Sequence, residues 1–169
     1  SASINVTSTM VTGFDTSTAG TNKELTITYG DKSIKVTYNV TQLAVSSISV
    51  KTKMKTSYFV GEQLEVAGGI ITATYNNGKT EDVVITNAMV SNFSTTFAKN
   101  AVLTITYEGK TCSQEYSVTA IVVSSIELLN RAEFKTAYYT GDAITYPCGQ
   151  IKATYNNGTT QTVNITETM

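Results

Sequence analysis

The chain has 169 residues, 15% of them charged and 41% hydrophobic, with one proline, no tryptophan and no histidine, which leaves room for one or two domains with a real core. The missing histidine removes the usual general base of Ser/His/Asp and Cys/His enzymes and the commonest transition-metal ligand. A net charge of -1, spread along the chain, argues against a nucleic-acid interface or an anionic membrane surface, and no apolar run reaches the roughly 18 residues of a transmembrane helix. In chain order, Leu25, Ile27 and Tyr29 alternate with Thr26 and Thr28. Gly30-Asp31 fits a two-residue hairpin loop, and Ile34, Val36, Tyr38 and Val40 then alternate with Ser33, Lys35, Thr37 and Asn39. A single strand is expected around Ile48–Val50. Ile71, Ala73 and Tyr75 share one face, and Asn76-Asn77-Gly78 fits a slightly longer turn before the strand of Val83 and Ile85. Glu108-Gly109 marks another tight hairpin, and a further strand is expected around Ile126–Leu128.

The chain is an internal repeat. Tyr75-Asn76-Asn77-Gly78 recurs as Tyr155-Asn156-Asn157-Gly158, and the run from Thr56 to Met89 maps without a gap onto Thr136 to Met169. Leu25-Thr26-Ile27-Thr28-Tyr29 recurs as Leu103-Thr104-Ile105-Thr106-Tyr107, and Val45-Ser46-Ser47-Ile48 as Val123-Ser124-Ser125-Ile126. Met10, Met89 and Met169 mark one position in successive copies, so the unit is about 79 residues long. Short alternating strands, turn signals and almost no helical periodicity predict an antiparallel β-sandwich.

Tyr58-x-x-Gly61-x-x-Leu64, Ile71-x-Ala73-x-Tyr75-x-x-Gly78, and Val11-x-Gly13-Phe14-Asp15-Thr16 followed by Leu25-x-Ile27-x-Tyr29 resemble the group 3 bacterial immunoglobulin-like domain. A weaker copy of the last motif begins at Val90-Ser91-Asn92-Phe93-Ser94. There Asn92 and Ser94 replace Gly13 and Asp15, so the two loops need not share one shape. The fold the resemblance implies is all-β, as tandem immunoglobulin-like antiparallel β-sandwiches. It also implies a stalk or accessory module of a secreted or wall-attached bacterial surface protein.

In the family's phase, residues 44–121 make one complete repeat, 1–43 the second half of another, and 122–169 the first half of a third. A half-sandwich exposes its apolar face. The terminal halves could close on each other or complete neighbouring molecules; alternatively, the compact units run 1–79 and 80–169. Cys112 stands where the other copy has Ile34, and Cys148 where it has Gly68. In the shifted phase both lie in one unit, where a Cys112–Cys148 disulfide would bridge the sheets as in many immunoglobulin sandwiches. The other reading is two unpaired thiols acting as small apolar residues.

No catalytic set assembles. Glu81 and Asp82 are strand neighbours that point to opposite faces, the serine pairs lack a base, and there is no phosphate loop, zinc spacing or calcium loop. Lys35 and Asn39 fall on a polar face, which argues against an isopeptide cross-link. Eight of the ten tyrosines form repeat pairs and read as core and corner packing. Tyr139 and Tyr146 have no counterparts, and they are the weak ligand-contact candidates, with Tyr146-Pro147 also fitting a turn. The expected protein is a non-catalytic extracellular spacer, secreted or cell-surface attached, without metal or cofactor. Its partners would be neighbouring repeats of the same chain, or neighbouring molecules completing the terminal halves. The alternative is an adhesion or carbohydrate-binding module contacting glycan or a host protein through its loops. No nucleic-acid partner and no membrane insertion are expected.

Overall fold

The structure is a computed structural model that describes residues 3–130, 134–146 and 148–167. Met169 and Pro147, named above in the repeat and turn readings, lie outside the described residues. The chain is all-β. Its strands are β1 Val11–Thr12, β2 Gly20–Tyr29, β3 Lys32–Val40, β4 Val45–Thr52, β5 Ser57–Phe59, β6 Ile70–Tyr75, β7 Thr80–Val84, β8 Val90–Ser91, β9 Lys99–Tyr107, β10 Lys110–Thr119, β11 Val123–Leu129, β12 Gln150–Tyr155 and β13 Thr160–Asn164. Short 3-10 turns at Ser8–Met10 and Asn87–Met89 precede β1 and β8. The sheets run β1-β2-β3, β4-β6-β7, β5-β10-β9-β8 and β11-β12-β13. Two compact units divide the chain, Ser1–Ser47 with Ala73–Glu81, and Ile48–Thr72 with Asp82–Met169.

In the first unit, β2 and β3 pair from Tyr29↔Lys32 around Gly30-Asp31, and β1 adds Val11 opposite Ile27. Gly30 has a φ of 61°, the left-handed value this two-residue loop needs. The alternation read in β3 is real, but its apolar face is open rather than covered. Ile34 is 63% exposed and Tyr29 60%.

In the second unit, β9 and β10 form a long antiparallel ladder from Lys110↔Tyr107 to Val118↔Lys99. Glu108 and Gly109 both have positive φ, as a type I′ hairpin requires. One pairing departs from the antiparallel expectation. β5 lies parallel to β10, with Ser57↔Ser117, Tyr58↔Val118 and Phe59↔Thr119. After β4 the chain changes sheets through Lys53–Thr56, and the long excursion from β6 to β9 supplies the crossover that a parallel pair needs. Ile48, Met54, Tyr58, Ile71, Ile85, Leu103, Ile105, Tyr116 and Val118 are buried here, each large side chain contributing about 1.5–3 kcal/mol by leaving water. Gly69 makes the close packing possible. A Cβ there would meet the Met54 side chain and come within 3.1 Å of Ile85. The β11-β12-β13 sheet buries Ala153 but leaves Ile126 65% exposed, so its apolar face is also open.

Candidate functional site

The Tyr-Asn-Asn-Gly turn gives its two asparagines separate roles. Gly78 N–H donates to Tyr75 C=O at 2.9 Å and Tyr75 N–H to Lys79 C=O at 2.8 Å, closing the hairpin. The Asn77 side chain accepts from Lys79 N–H at 3.0 Å, an Asx turn. Asn76 is left to face the connector between β3 and β4. Its N–H donates to Ala44 C=O at 2.9 Å, its Nδ2 to Gln42 C=O at 2.7 Å, and its Oδ1 accepts from Ala44 N–H at 3.3 Å. Asn156 repeats this on the connector between β10 and β11. Its N–H donates to Val122 C=O at 3.0 Å, its Nδ2 to Ala120 C=O at 2.9 Å, and its Oδ1 accepts from Val122 N–H at 3.0 Å. Next to each clamp, Ser46 Oγ donates to Thr74 C=O and Ser124 Oγ to Thr154 C=O. A side-chain amide offers both donor and acceptor groups, so each asparagine holds two connector residues as a short β-strand would.

In the sequence these residues mark a repeat and a turn, and the clamp itself is not legible from that pattern. A signal for it is nonetheless present. Both connectors lack Gly and Pro, and the same asparagine follows the same tyrosine in each copy.

A second repeated constellation lies at the corner before each long hairpin. Tyr116 Oη accepts from Ser94 N–H at 3.0 Å and donates to Ser94 C=O at 3.2 Å. Tyr38 Oη does the same with Asp15, at 2.7 and 3.0 Å, the arrangement of a tyrosine corner. Asn92 has a φ of 62° and Gly13 a φ of 77°, so the two loops do share one shape despite their different residues. Asn tolerates this left-handed conformation better than most residues. Asp15 is held well below the usual carboxylate range, first by the hydroxyl and N–H of Ser17 and then by Lys23.

In the second unit the ring of Tyr58 closes the corner, 4.9 Å from Phe93 and 6.0 Å from Tyr116. The turn after Tyr58 is stapled by Glu62, which accepts from Phe59 N–H at 3.0 Å and pairs with Lys55 at 2.9 Å. Lys55 first and the Phe59 N–H second hold the Glu62 carboxyl below its ordinary range.

Tyr139 stands where Phe59 stands in that turn. Its N–H donates to Asp142 Oδ2 at 2.9 Å, and Lys135 pairs with the same carboxylate at 3.2 Å. These two contacts, the N–H first, hold Asp142 below the carboxylate range. The Tyr139 side chain is 88% exposed, and Tyr146, at a bend before β12, is 42% exposed. Cys112, on β10 opposite Ile105, and Cys148, just before β12, are both half-buried free thiols, so the Cys112–Cys148 bridge is not formed in this structure. Burial pushes the Cys112 thiol upward. Cys148 lines an open groove of about 520 Å³ with Phe134, Tyr138 and Gln150. Glu81 and Asp82 serve different partners. Glu81 accepts from Tyr75 Oη, and Asp82 pairs with Lys51 and accepts from Thr72 Oγ1. Among the described residues no three His, Cys, Asp or Glu side chains gather as metal ligands, and no helix is long and apolar enough to cross a membrane.

Residues 51–120 match the sequence model of the bacterial Ig-like domain (group 3). The resemblance to that family thus covers the segment that holds most of the buried apolar side chains. Pectate lyase L of Thermoclostridium stercorarium is 26% identical over 145 residues, covering 84% of this chain and 12% of the relative. The exo-beta-1,6-galactobiohydrolase of Bifidobacterium longum subsp. longum is 31% identical over 112 residues, covering 62% of this chain and 7% of the relative. The chain therefore spans about a tenth of the length of these curated relatives. The solution structure of a provisionally assigned surface protein is 24% identical, covering 47% of this chain and 92% of that one with a TM-score of 0.29.

Proposed function

We propose that the chain is a non-catalytic spacer of tandem Ig-like repeats in a secreted or cell-surface bacterial protein, setting the distance and orientation of another region. The repeated connector clamp carries this reading. Asn76 and Asn156 each tie a connector of three or four residues to the following hairpin, so a repeat would be held to the next by hydrogen bonds as well as by chain. Burial supports taking 44–121 as the complete repeat, since among the described residues every buried apolar side chain except Ala153 falls between Val45 and Val118. Small-angle scattering of the chain and of its Asn76→Ala/Asn156→Ala variant tests this. The variant should show a broader distance distribution than the native chain, with its circular dichroism unchanged. Identical scattering from the two would sink the clamp as the source of stiffness.

A second reading is a carbohydrate-binding accessory module. Tyr139 favours it, because a stapled turn presents that ring 88% exposed, and both named relatives are described as carbohydrate-active enzymes far longer than this chain. Saturable binding to pectin or a β-1,6-galactan, lost on Tyr139→Ala, would establish it. No binding to either at millimolar sugar would remove it.

A further inference from the structure

The outer face of the β5-β10-β9-β8 sheet carries an open trough that lies wholly within residues 53–117. Its volume is about 560 Å³, and Lys53, Ser57, Asn100, Val102, Glu115 and Ser117 line it. On β9 and β10 these residues alternate with the buried Leu103, Tyr116 and Val118, so they stand on the side away from the core. The register sets Ser57, Ser117 and Asn100 in one row across three strands, and Glu115 beside Val102 in the next. Val102 puts a 51% exposed hydrocarbon in the floor. Lys53 and Glu115 bring opposite charges to the one trough, yet among the described residues neither makes an ion pair.

The other copy of the repeat fills this face with its own side chains. Val102 and Ser113 stand where β2 and β3 have Glu24 and Lys35, and those two pair at 2.8 Å. Ser117 stands where β3 has Asn39, whose Oδ1 accepts from Asn22 N–H at 2.9 Å. Three shorter side chains thus remove the self-pairing and leave the hollow.

The lining selects among occupants. A peptide strand adds at a free sheet edge, but β10 is bonded on both sides here, Ser117 N–H donating to Thr56 C=O at 2.8 Å while β9 pairs its other edge. Recognition therefore falls to side chains. One positive and one negative group leave no net charge to attract a polyanion. Hydroxyls, an amide, a charged donor and a charged acceptor around an apolar floor match a ligand with both donors and acceptors and a C–H face.

We propose that this trough binds a neutral oligosaccharide. Val102 lies under the C–H face of one sugar ring, Glu115 accepts from its hydroxyls, Lys53 donates to them, and Ser57, Asn100 and Ser117 complete the set. This site stands on the carbohydrate-binding reading above, but Tyr139 does not line it.

Backbone-amide NMR titration of the chain with cellotriose, xylotriose, mannotriose and a β-1,6-galactan trisaccharide tests it. At least one sugar should give saturable shifts confined to residues 100–102, 115–117 and their neighbours. Glu115→Val and Lys53→Ala should each weaken that binding about tenfold, and Tyr139→Ala should leave it unchanged. Val102→Glu with Ser113→Lys transplants the ion pair of the other copy into the trough, and should abolish binding with its circular dichroism unchanged. Binding lost on Tyr139→Ala but kept by the Val102→Glu/Ser113→Lys chain overturns the trough and leaves the carbohydrate reading standing. Tighter binding of trigalacturonate or triglycine than of every neutral sugar also overturns it. No saturable shift from any of these sugars at millimolar concentration overturns both.

Discussion

Gln114→Val places at one position of the closed repeat the residue its own counterpart, Val36, already has. Gln114 is 3% exposed at the middle of β10, and Met54, which it holds, is also 3% exposed. The amide accepts from Met54 N–H at 2.9 Å and donates to Met54 C=O at 3.4 Å. Met54 lies on the stretch where the chain passes from one sheet to the other, so no ladder supplies its N–H with a partner. Removing the amide strands that N–H in the core at a cost of about 1–3 kcal/mol, and the longer bond adds only a few tenths. The lower desolvation cost of valine offsets part of this, which leaves a net loss of about 2 kcal/mol. For a unit of this size that lowers Tm by roughly 8–16 °C. Urea denaturation with an unchanged slope should report the same loss. Glu115→Val, one residue along on the exposed face, should stay within about 0.5 kcal/mol. A loss for Gln114→Val no larger than that of Glu115→Val would refute the reasoning.

Gly69→Ala forces a methyl group into Met54 and to 3.1 Å from both Ile85 and the Val66 carbonyl, so thermal melts should show a loss of about 1–3 kcal/mol from overpacking. Tyr116→Phe removes the hydroxyl that bonds both backbone groups of Ser94, and should cost about 1–2 kcal/mol in the same assay. Asp15, Glu62, Asp82 and Asp142 are all held below the ordinary carboxylate range. Their contribution is therefore complete above about pH 5 and falls away as pH drops through and below about 4. Urea midpoints measured from pH 7 to pH 2 should decline only in that acid limb, and a midpoint that rises on acidification would contradict the assignment. The raised pKa values of Lys35 and Lys55 work in the opposite sense, so their share is present below about pH 10 and lost above it.

Much of this fold is legible in the chain because the repeat supplies two readings of each element. The hairpins at Gly30-Asp31 and Glu108-Gly109 follow from glycine placement and the alternation on either side. The strands around Ile48–Val50 and Ile126–Leu128 follow from the repeated Val-Ser-Ser-Ile. The parallel pairing of β5 is not legible, since Ser57-Tyr58-Phe59 has no period of its own and its partner lies far along the chain. Nor is the exposure of Ile34 or Tyr29. Alternation says which residues share a face, but only a second sheet decides whether that face is covered. The shape of the Asn92 loop was masked by a different cause. Glycine and asparagine reach one left-handed conformation by different means, no Cβ in one case and a short polar side chain in the other.

The clamp shows why the turn uses asparagine twice, and why aspartate would not serve at the first position. Asn77 needs only an acceptor, for Lys79 N–H, as Asn157 does for Thr159 N–H, so a carboxylate there would keep the turn. Asn76 faces a carbonyl on one side and an N–H on the other. A carboxylate could accept from Ala44 N–H but would set its second oxygen against the Gln42 carbonyl, two acceptors without a proton between them. The same conflict would arise at Ala120 for residue 156. Only a side-chain amide satisfies both groups. The turn and the connector therefore constrain neighbouring residues for different reasons, which makes the Tyr-Asn-Asn-Gly motif a hold on the connector as well as a bend in one hairpin.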